Sequence, residues 1–482
     1  MILGRAHIKR MGLKYLPFSD AASDDLPLGQ LLRLSLFQVS VGMATVMLLG
    51  TLNRVMIVEL SVPAMIVAVM IALPVLIAPF RALMGFRSDT YKSAIGWKRV
   101  PYLWFGSIWQ MGGLAVMPFA LLVLGGGGAL DVPFAGEVLA AIAFLMTGLG
   151  LHMTQTAGLA LASDRATDET RPRVVALLYV MFLVGMGVSA IIVGWLLRDF
   201  TPLKLVQVVQ GAAVLTVVLN VIALWKQERV RPMSREERAE ARPAFKAAWA
   251  DYTKGGDAGR LLAVVFCGTL AFNMQDVLLE PYGGEILGLS VSATTLLTAL
   301  WALGALIGFA LAARWLQGQL SPYRMCMRGL LAGIAAFSCV VFSAPMASPV
   351  LFYLGAFGIG LGGGLFAVAT LTAAMTQRAA GAHAGQGLAL GAWGAAQATA
   401  AGLAIALGGT IRDGIGALAE AGVFGAALTS PATGYSVVYH LEIGLLFVTL
   451  VVLGPLIRLS ALQPQPTPSS ESSRIGLADF PT

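Results

Sequence analysis

His152 is the residue best placed to do chemistry, and one of the costliest to bury. It lies in a glycine-rich apolar run, Gly148-Leu149-Gly150-Leu151-His152, followed by Gln155, Thr156 and, twelve residues on, Asp164. Ionisable groups at bilayer depth are expensive and face a protein interior or a cavity. Gly148 and Thr156 fall one helical turn either side of His152 on its face, and Gln155 or Thr156 can position the ring. A neutral imidazole so placed has two readings. It can be an axial ligand to a metal centre, including the magnesium of a chlorophyll, with its other nitrogen held by a neighbour. Or it is satisfied by a hydrogen bond between helices, and the glycines serve close helix packing.

Two other sets carry charge into apolar surroundings. Asp276 and Glu280 are four residues apart in the polar stretch Asn273–Glu285 and share a helix face. Such a pair can bind protons or a cation, as in coupled transport; equally, it can sit at the wet end of its helix. Gly85, Asp89, Lys98 and Arg99 form the third set, in which Asp89 can cap a helix start and the basic pair can hold a neighbouring helix's carbonyl end. The rest read more simply. Arg33 and Arg81 lie near helix ends, where long side chains snorkel to water. Trp109, Gln110 and Gln397 are interior candidates, and His440 beside Tyr439 suggests an interfacial belt. His383 lies among Gly and Ala in a cytoplasmic loop and reads as solvated, and His7 is in the basic N-terminal arm. Cys267, Cys326 and Cys339 show no metal or redox spacing and read as buried inert thiols. The run Gly360–Gly364 lies within an apolar span and is a packing device. No nucleotide-binding loop, protease motif or nucleophile constellation occurs, so the expectation is of no enzyme and no protein-held metal.

The elements that must position these residues follow from composition. The chain is 57% hydrophobic and 12% charged over 482 residues, the profile of a polytopic membrane protein. Twelve apolar stretches reach the roughly 20 residues needed to span: 34–53, 62–80, 101–124, 138–162, 174–197, 203–225, 261–281, 291–313, 325–345, 349–375, 387–410 and 437–457. With both termini cytoplasmic, 28 of the 32 basic residues fall on the cytoplasmic side. Arg54, Arg198, Lys204 and Arg412 fall on the other. The net charge of +7 is therefore a topology signal, and no nucleic-acid partner is implied. The domain plan is a basic arm (1–33), a first six-helix half (34–225), a cytoplasmic linker (226–260), a second half (261–457) and a disordered tail (458–482). A surface helix is expected at Ser234–Arg242, and the loop 414–433 is expected to skim the membrane. The first span lacks a cleavage site and reads as a span.

The halves carry a faint duplication. Gly148-Leu149-Gly150-Leu151 answers Gly358-Ile359-Gly360-Leu361; Arg198-Asp199 answers Arg412-Asp413; and Arg54 answers Asp276, at offsets of 210, 214 and 222. The last match suggests an ion pair of Arg54 with Asp276 between the halves. The tenth span (349–375) keeps the glycines of the fourth (138–162) but has Gly362 where the fourth has His152, so any pigment is expected on the first half.

This six-plus-six plan, with Gly85-Phe86-Arg87-Ser88-Asp89 and then Lys98-Arg99 between the second and third spans, resembles the major facilitator superfamily. The spacing from Asp89 to Lys98 is longer than in most transporters, and the matching loop of the second half, Arg314–Arg324, lacks the pattern. Further strings narrow the resemblance: Gly96-Trp97-Lys98-Arg99-Val100-Pro101-Tyr102, His152–Leu161, Met274–Glu285 and, more weakly, Gly391, Trp393 and Gln397. From about residue 30 to 458 the chain resembles the bacteriochlorophyll-delivery (PucC/LhaA) branch of that superfamily. The resemblance implies an all-α fold and a place in the photosynthetic inner or intracytoplasmic membrane of purple bacteria. It implies an assembly factor for a light-harvesting antenna, the core antenna favoured, that delivers bacteriochlorophyll, chaperones antenna polypeptides, or both. The implied partners are those polypeptides, membrane lipids and, further out, the reaction-centre complex and pigment-synthesis enzymes. In that setting His152, Gly148, Gln155 and Thr156 become a candidate pigment site, with His152 as axial ligand to the pigment magnesium. The rival is a secondary transporter coupled to protons through Asp276 and Glu280.

Overall fold

A computed structural model of the chain describes residues 21–23, 26–52, 55–56, 60, 62, 64–125, 134–197, 201–234, 244–254, 256–289, 291–317, 320–376, 385–425, 428–430 and 432–462. Arg54, His7, His383, the Arg198–Asp199 pair, most of the expected 234–242 helix and the tail from residue 463 lie outside these. The helices are α1 (Leu28–Val46), α2 (Ala64–Ile77), α3 (Arg81–Asp89), α4 (Val100–Leu124), α5 (Ala135–Arg165), α6 (Arg171–Leu196), α7 (Pro202–Leu224), α8 (Phe245–Thr253), α9 (Asp257–Asn273), α10 (Leu279–Glu285), α11 (Val291–Gln317), α12 (Pro322–Ser343), α13 (Pro349–Thr376), α14 (Gln386–Glu420) and α15 (Ala432–Leu462).

Local chemistry explains several boundaries. Thr201 and Ser321 each accept the backbone N–H three residues on, and each is followed by proline at the first helical position; the side chain satisfies an orphan donor and the ring presets φ. Pro74 lies inside α2, which ends at Ile77 and tightens into a 3-10 turn at Ala78–Phe80. α14 runs on to Glu420, so part of the segment expected to skim the membrane is helix. In the linker, a short helix the sequence reading missed, α8, sets Phe245 against Phe86 of α3 with ring centroids 5.4 Å apart.

The chain is a multi-pass membrane protein. Ten of the described helices are long and apolar enough to cross a bilayer. Large apolar side chains face outward, as with Ile191 (74% exposed), while Gln110 is fully buried. Water would reverse that pattern; hydrocarbon permits it.

The helices form two compact units. One comprises the described residues within 21–252 and 379–395, the other those within 253–378 and 396–462; α14 begins in the first and continues in the second. In the first unit α4 packs along α5 and α7, α1 along α6 and α7, and α2 against α5. Its core includes Met47, Leu114, Phe144 and Val209. In the second unit α13 packs between α11 and α12, and α15 against α9 and α12. Aromatic contacts dominate there: Phe272 meets Phe337 and Phe366, and Tyr282 meets Phe352, Tyr435 and Tyr439.

Candidate functional site

Asp89, at the last residue of α3, caps the start of α14. Its Oδ1 accepts the N–H of Gly387 at 2.9 Å and its Oδ2 that of Leu388 at 2.8 Å. A carboxylate there satisfies two orphan donors and meets the positive end of the helix dipole. Gly85 allows the approach: a Cβ on it would stand 1.8 Å from the carbonyl oxygen of Gly387. Arg99 turns to carboxylates, not to carbonyls. Its NH2 lies 2.5 Å from Asp89 Oδ1, its Nε 2.9 Å from Asp164 Oδ2, and its NH1 donates to Ser88 Oγ at 2.6 Å. Burial works against the charge on Arg99, but Asp164 and Asp89 outweigh it and raise its pKa above the ordinary value. Lys98 is exposed; its backbone N–H, with those of Arg99 and Val100, donates to the Glu228 carboxylate at 3.0–3.2 Å. Glu228 thus caps α4. Sequence reasoning missed Glu228 and Asp164 because neither cap nor ion pair is local in the chain.

His152 is buried on α5, and its Nε2 lies 2.9 Å from the carbonyl oxygen of Pro74. A carbonyl only accepts, so Nε2 carries the proton and Nδ1 the lone pair. Pro74 lies in the last turn of α2, where the chain tightens into the 3-10 turn, and the imidazole donates to its carbonyl. Nδ1 is buried with no partner among the described residues. Gly148, one turn away, is covered by Pro74: a Cβ there would meet that ring at 2.6 Å. Thr156 Oγ1 accepts from Arg81 Nε at 3.0 Å. Gln155 is half-buried. The lone pair on Nδ1 is therefore enclosed in this arrangement, and coordination through it requires the packing around Nδ1 to open, with the Pro74 contact kept as the anchor of the ring.

Arg81 corrects the snorkelling expectation. It is 1% exposed; its NH1 donates to Gly394 O at 3.2 Å and its NH2 has no partner among the described residues. The helix does not end where the hydropathy does: α3 carries the chain on past Arg81, and Thr156 of α5 and Gly394 of α14 stand against its guanidinium. Trp109 is likewise exposed, not interior, whereas Gln110 is buried and donates to Ser40 O at 3.0 Å. The three cysteines are free, and of these only Cys326 is fully buried.

In the second unit Asp276 lies in a 3-10 turn (Met274–Val277) between α9 and α10. It is exposed and accepts from Gln275 Nε2. The side chain of Glu280 and all of Arg54 lie outside the described residues, and the expected pairing of Asp276 with Arg54 lies outside them too. The structure adds Glu442, on α15, which is fully buried with both carboxylate oxygens unpartnered among the described residues. Gln275 Oε1 and the Tyr439 hydroxyl, also buried, are unpartnered as well. An acidic residue within the last span was the signal that could have found Glu442. At the ends of these helices Arg412 binds Glu285, Asp413 and the Tyr435 hydroxyl, with its guanidinium 4.5 Å above the Tyr435 ring.

The PUCC protein family matches residues 51–461, most of the chain and all of the sites above. The chain belongs to the PUCC family. A relative from Rhodobacter capsulatus, named for its place in the puhA–bchM intergenic region, is 63% identical over 482 residues, covering both chains in full. Protein PucC of Rhodovulum sulfidophilum is 55% identical over 413 residues, 85% of this chain and 90% of that one. The fold is that of the major facilitator superfamily: this PUCC-family chain superposes on the transporter FucP, solved in its outward conformation, with a TM-score of 0.60 at 14% identity, over 88% of this chain and 98% of the other.

Proposed function

We propose that this chain is a non-enzymatic assembly factor for a bacterial light-harvesting antenna, the core antenna in preference to the peripheral one. It delivers bacteriochlorophyll, holds antenna polypeptides during insertion, or does both. The observation that carries this reading is the PUCC family match across residues 51–461, and the 55% identity to a protein named PucC supports it. Under this reading twelve spans form two six-helix halves, 34–225 and 261–457, joined by the linker 226–260, with the arm 1–33 and the tail 458–482 in the cytoplasm. The membrane is the inner or intracytoplasmic one. The partners are antenna polypeptides, lipids and, further out, the reaction centre and pigment-synthesis enzymes. An esterified pigment is insoluble in water, and donor and acceptor share the bilayer, so delivery needs a lateral surface more than a pore. Deletion of the gene tests the reading: membranes should lose the core-antenna absorption band while reaction-centre bands persist, with restoration by the wild-type gene. An unchanged antenna would overturn it.

A second reading, proton-coupled transport through Asp276 and Glu280, is favoured by the unpartnered carboxylate of Glu442 within the same unit, since unpaired acids at bilayer depth mark ion and proton routes. Proton uptake by proteoliposomes on substrate addition, lost in Asp276→Asn, is the result it requires.

A further inference from the structure

His440 lies eight residues into α15, about 12 Å along the helix axis, and is exposed. Its Nδ1 stands 2.7 Å from the carbonyl oxygen of Ser436, one turn back. That carbonyl can only accept, so the neutral ring keeps its proton on Nδ1 and presents a lone pair on Nε2. The contacts of the ring to described residues all run through Nδ1. Proteins fix metal-binding histidines in this way, with the second nitrogen anchored on a carbonyl to set tautomer and orientation. His152 differs: its lone pair is on Nδ1, sealed inside the unit.

The His440 ring borders a half-open cavity of about 650 Å³ whose walls include Tyr282, Val341, Pro345, Leu428, Val437 and Leu441. That volume is within the ~300–1,000 Å³ of small-molecule sites. The walls are mostly hydrocarbon, and among the described residues no Lys, Arg, Asp or Glu contributes to them. Arg412, which reaches the neighbouring Tyr435, is engaged by Glu285 and Asp413. Along α15 the face that carries His440 continues through Gly444, Phe447, Val448 and Val451 at helical spacing. Phe447, Val448 and Val451 are exposed, and a Cβ on Gly444 would meet nothing within 4 Å. An exposed apolar helix face therefore leads away from the imidazole.

We propose that this cavity binds an esterified magnesium tetrapyrrole, with His440 Nε2 as axial ligand to the metal and the ester tail along the Gly444–Val451 face. The ligand class follows from the donor set. One neutral imidazole in a hydrocarbon cavity cannot hold a bare cation, which needs several protein ligands. A macrocycle brings its own four nitrogens and requires one more donor. The uncharged walls select against rings bearing free carboxylates, which would be left buried and unpaired. The proposal rests on the pigment-handling reading above and moves the pigment contact from His152 to the unit that contains α15.

The purified full-length chain in mild detergent is titrated with bacteriochlorophyll a, with its free acid and with hemin. The readouts are absorption and the resonance Raman marker of magnesium coordination number. Wild type should bind one bacteriochlorophyll as a five-coordinate species and bind the two charged rings more weakly. His440→Leu should lose about tenfold or more in affinity, the equivalent of one bond. In His440→Gly, added imidazole should restore saturable binding of one pigment per protein, which an unfolded variant cannot do; imidazole with pigment in empty micelles is the control. No saturable binding by wild type, unchanged binding by His440→Leu, or loss confined to His152→Leu would each overturn the site. The last of these would leave the assembly reading intact, and a deletion strain with a normal antenna would reject that reading whatever the titration shows.

Discussion

Asp89 Oδ1 lies 2.5 Å from Arg99 NH2, while the two oxygens of the same carboxylate accept the N–H groups of Gly387 and Leu388. One side chain thus joins the end of α3, the start of α4 and the start of α14 within a single unit. Both partners of the ion pair are nearly buried, with side chains 5% and 10% exposed. Removing one member of a buried pair strands the other, at about 3–5 kcal/mol.

Asp89→Ala should therefore lower the thermal stability of the purified protein by several degrees or abolish its accumulation. Asp89→Asn, which keeps an acceptor for one cap bond, should cost less. Thermal unfolding in detergent checks the order; equal effects would deny the ion pair its share. The pH behaviour has a definite sign. Arg99 is a base held above its ordinary value, so its contribution is complete below the unfolded arginine value and is lost only as pH rises through the higher folded one. The Arg99→Gln penalty should accordingly stay constant from neutral into alkaline conditions.

Gly85→Ala should be severely destabilising. Its Cβ would collide with backbone, the carbonyl of Gly387 at 1.8 Å, and a helix cannot yield as a flexible side chain does. Overpacking costs about 1–3 kcal/mol where side chains can shift, and more here. Gly187→Ala is the control: it lies in α6 with nothing within 4 Å, and replacing a helical glycine gains roughly 0.5–1 kcal/mol. Matching losses at both positions would reject the close contact.

His152→Leu should cost about 1–3 kcal/mol by leaving the Pro74 carbonyl unpaired, and His152→Gln, which can still donate, should recover part of it. Stability curves for the two variants decide this. Identical values would mean that the hydrogen bond carries nothing.

Glu442→Gln should hold or raise stability, because an amide removes an unpartnered acid from a buried site; Glu442→Lys should prevent accumulation. If the second unit carries proton-coupled transport, Glu442→Gln should also abolish substrate-driven proton uptake in vesicles. A large loss of stability in Glu442→Gln would show that the carboxylate has a partner it needs.

The sequence by itself determined the class. A 57% apolar composition with long apolar spans belongs in a membrane, because burial in water cannot hide so much hydrocarbon. It also located Asp89 as a helix cap and His152 as a residue needing a partner, since short spacings and the cost of a buried imidazole are local facts. The tertiary structure decided the partners. That His152 meets Pro74, that Arg81 is buried and not snorkelling, that Glu228 caps α4 and that Glu442 has no partner among the described residues all depend on helices distant in sequence. The same holds for His440. Along the chain it is a histidine beside a tyrosine near a helix end, with Ser436 one helical turn back to anchor Nδ1; only packing turns Tyr439 inward and leaves His440 at the rim of a cavity. Hydrogen bonds are directional and short, so whether the remaining nitrogen of a histidine is enclosed, as at His152, or open, as at His440, is set by neighbours that no spacing in the sequence records.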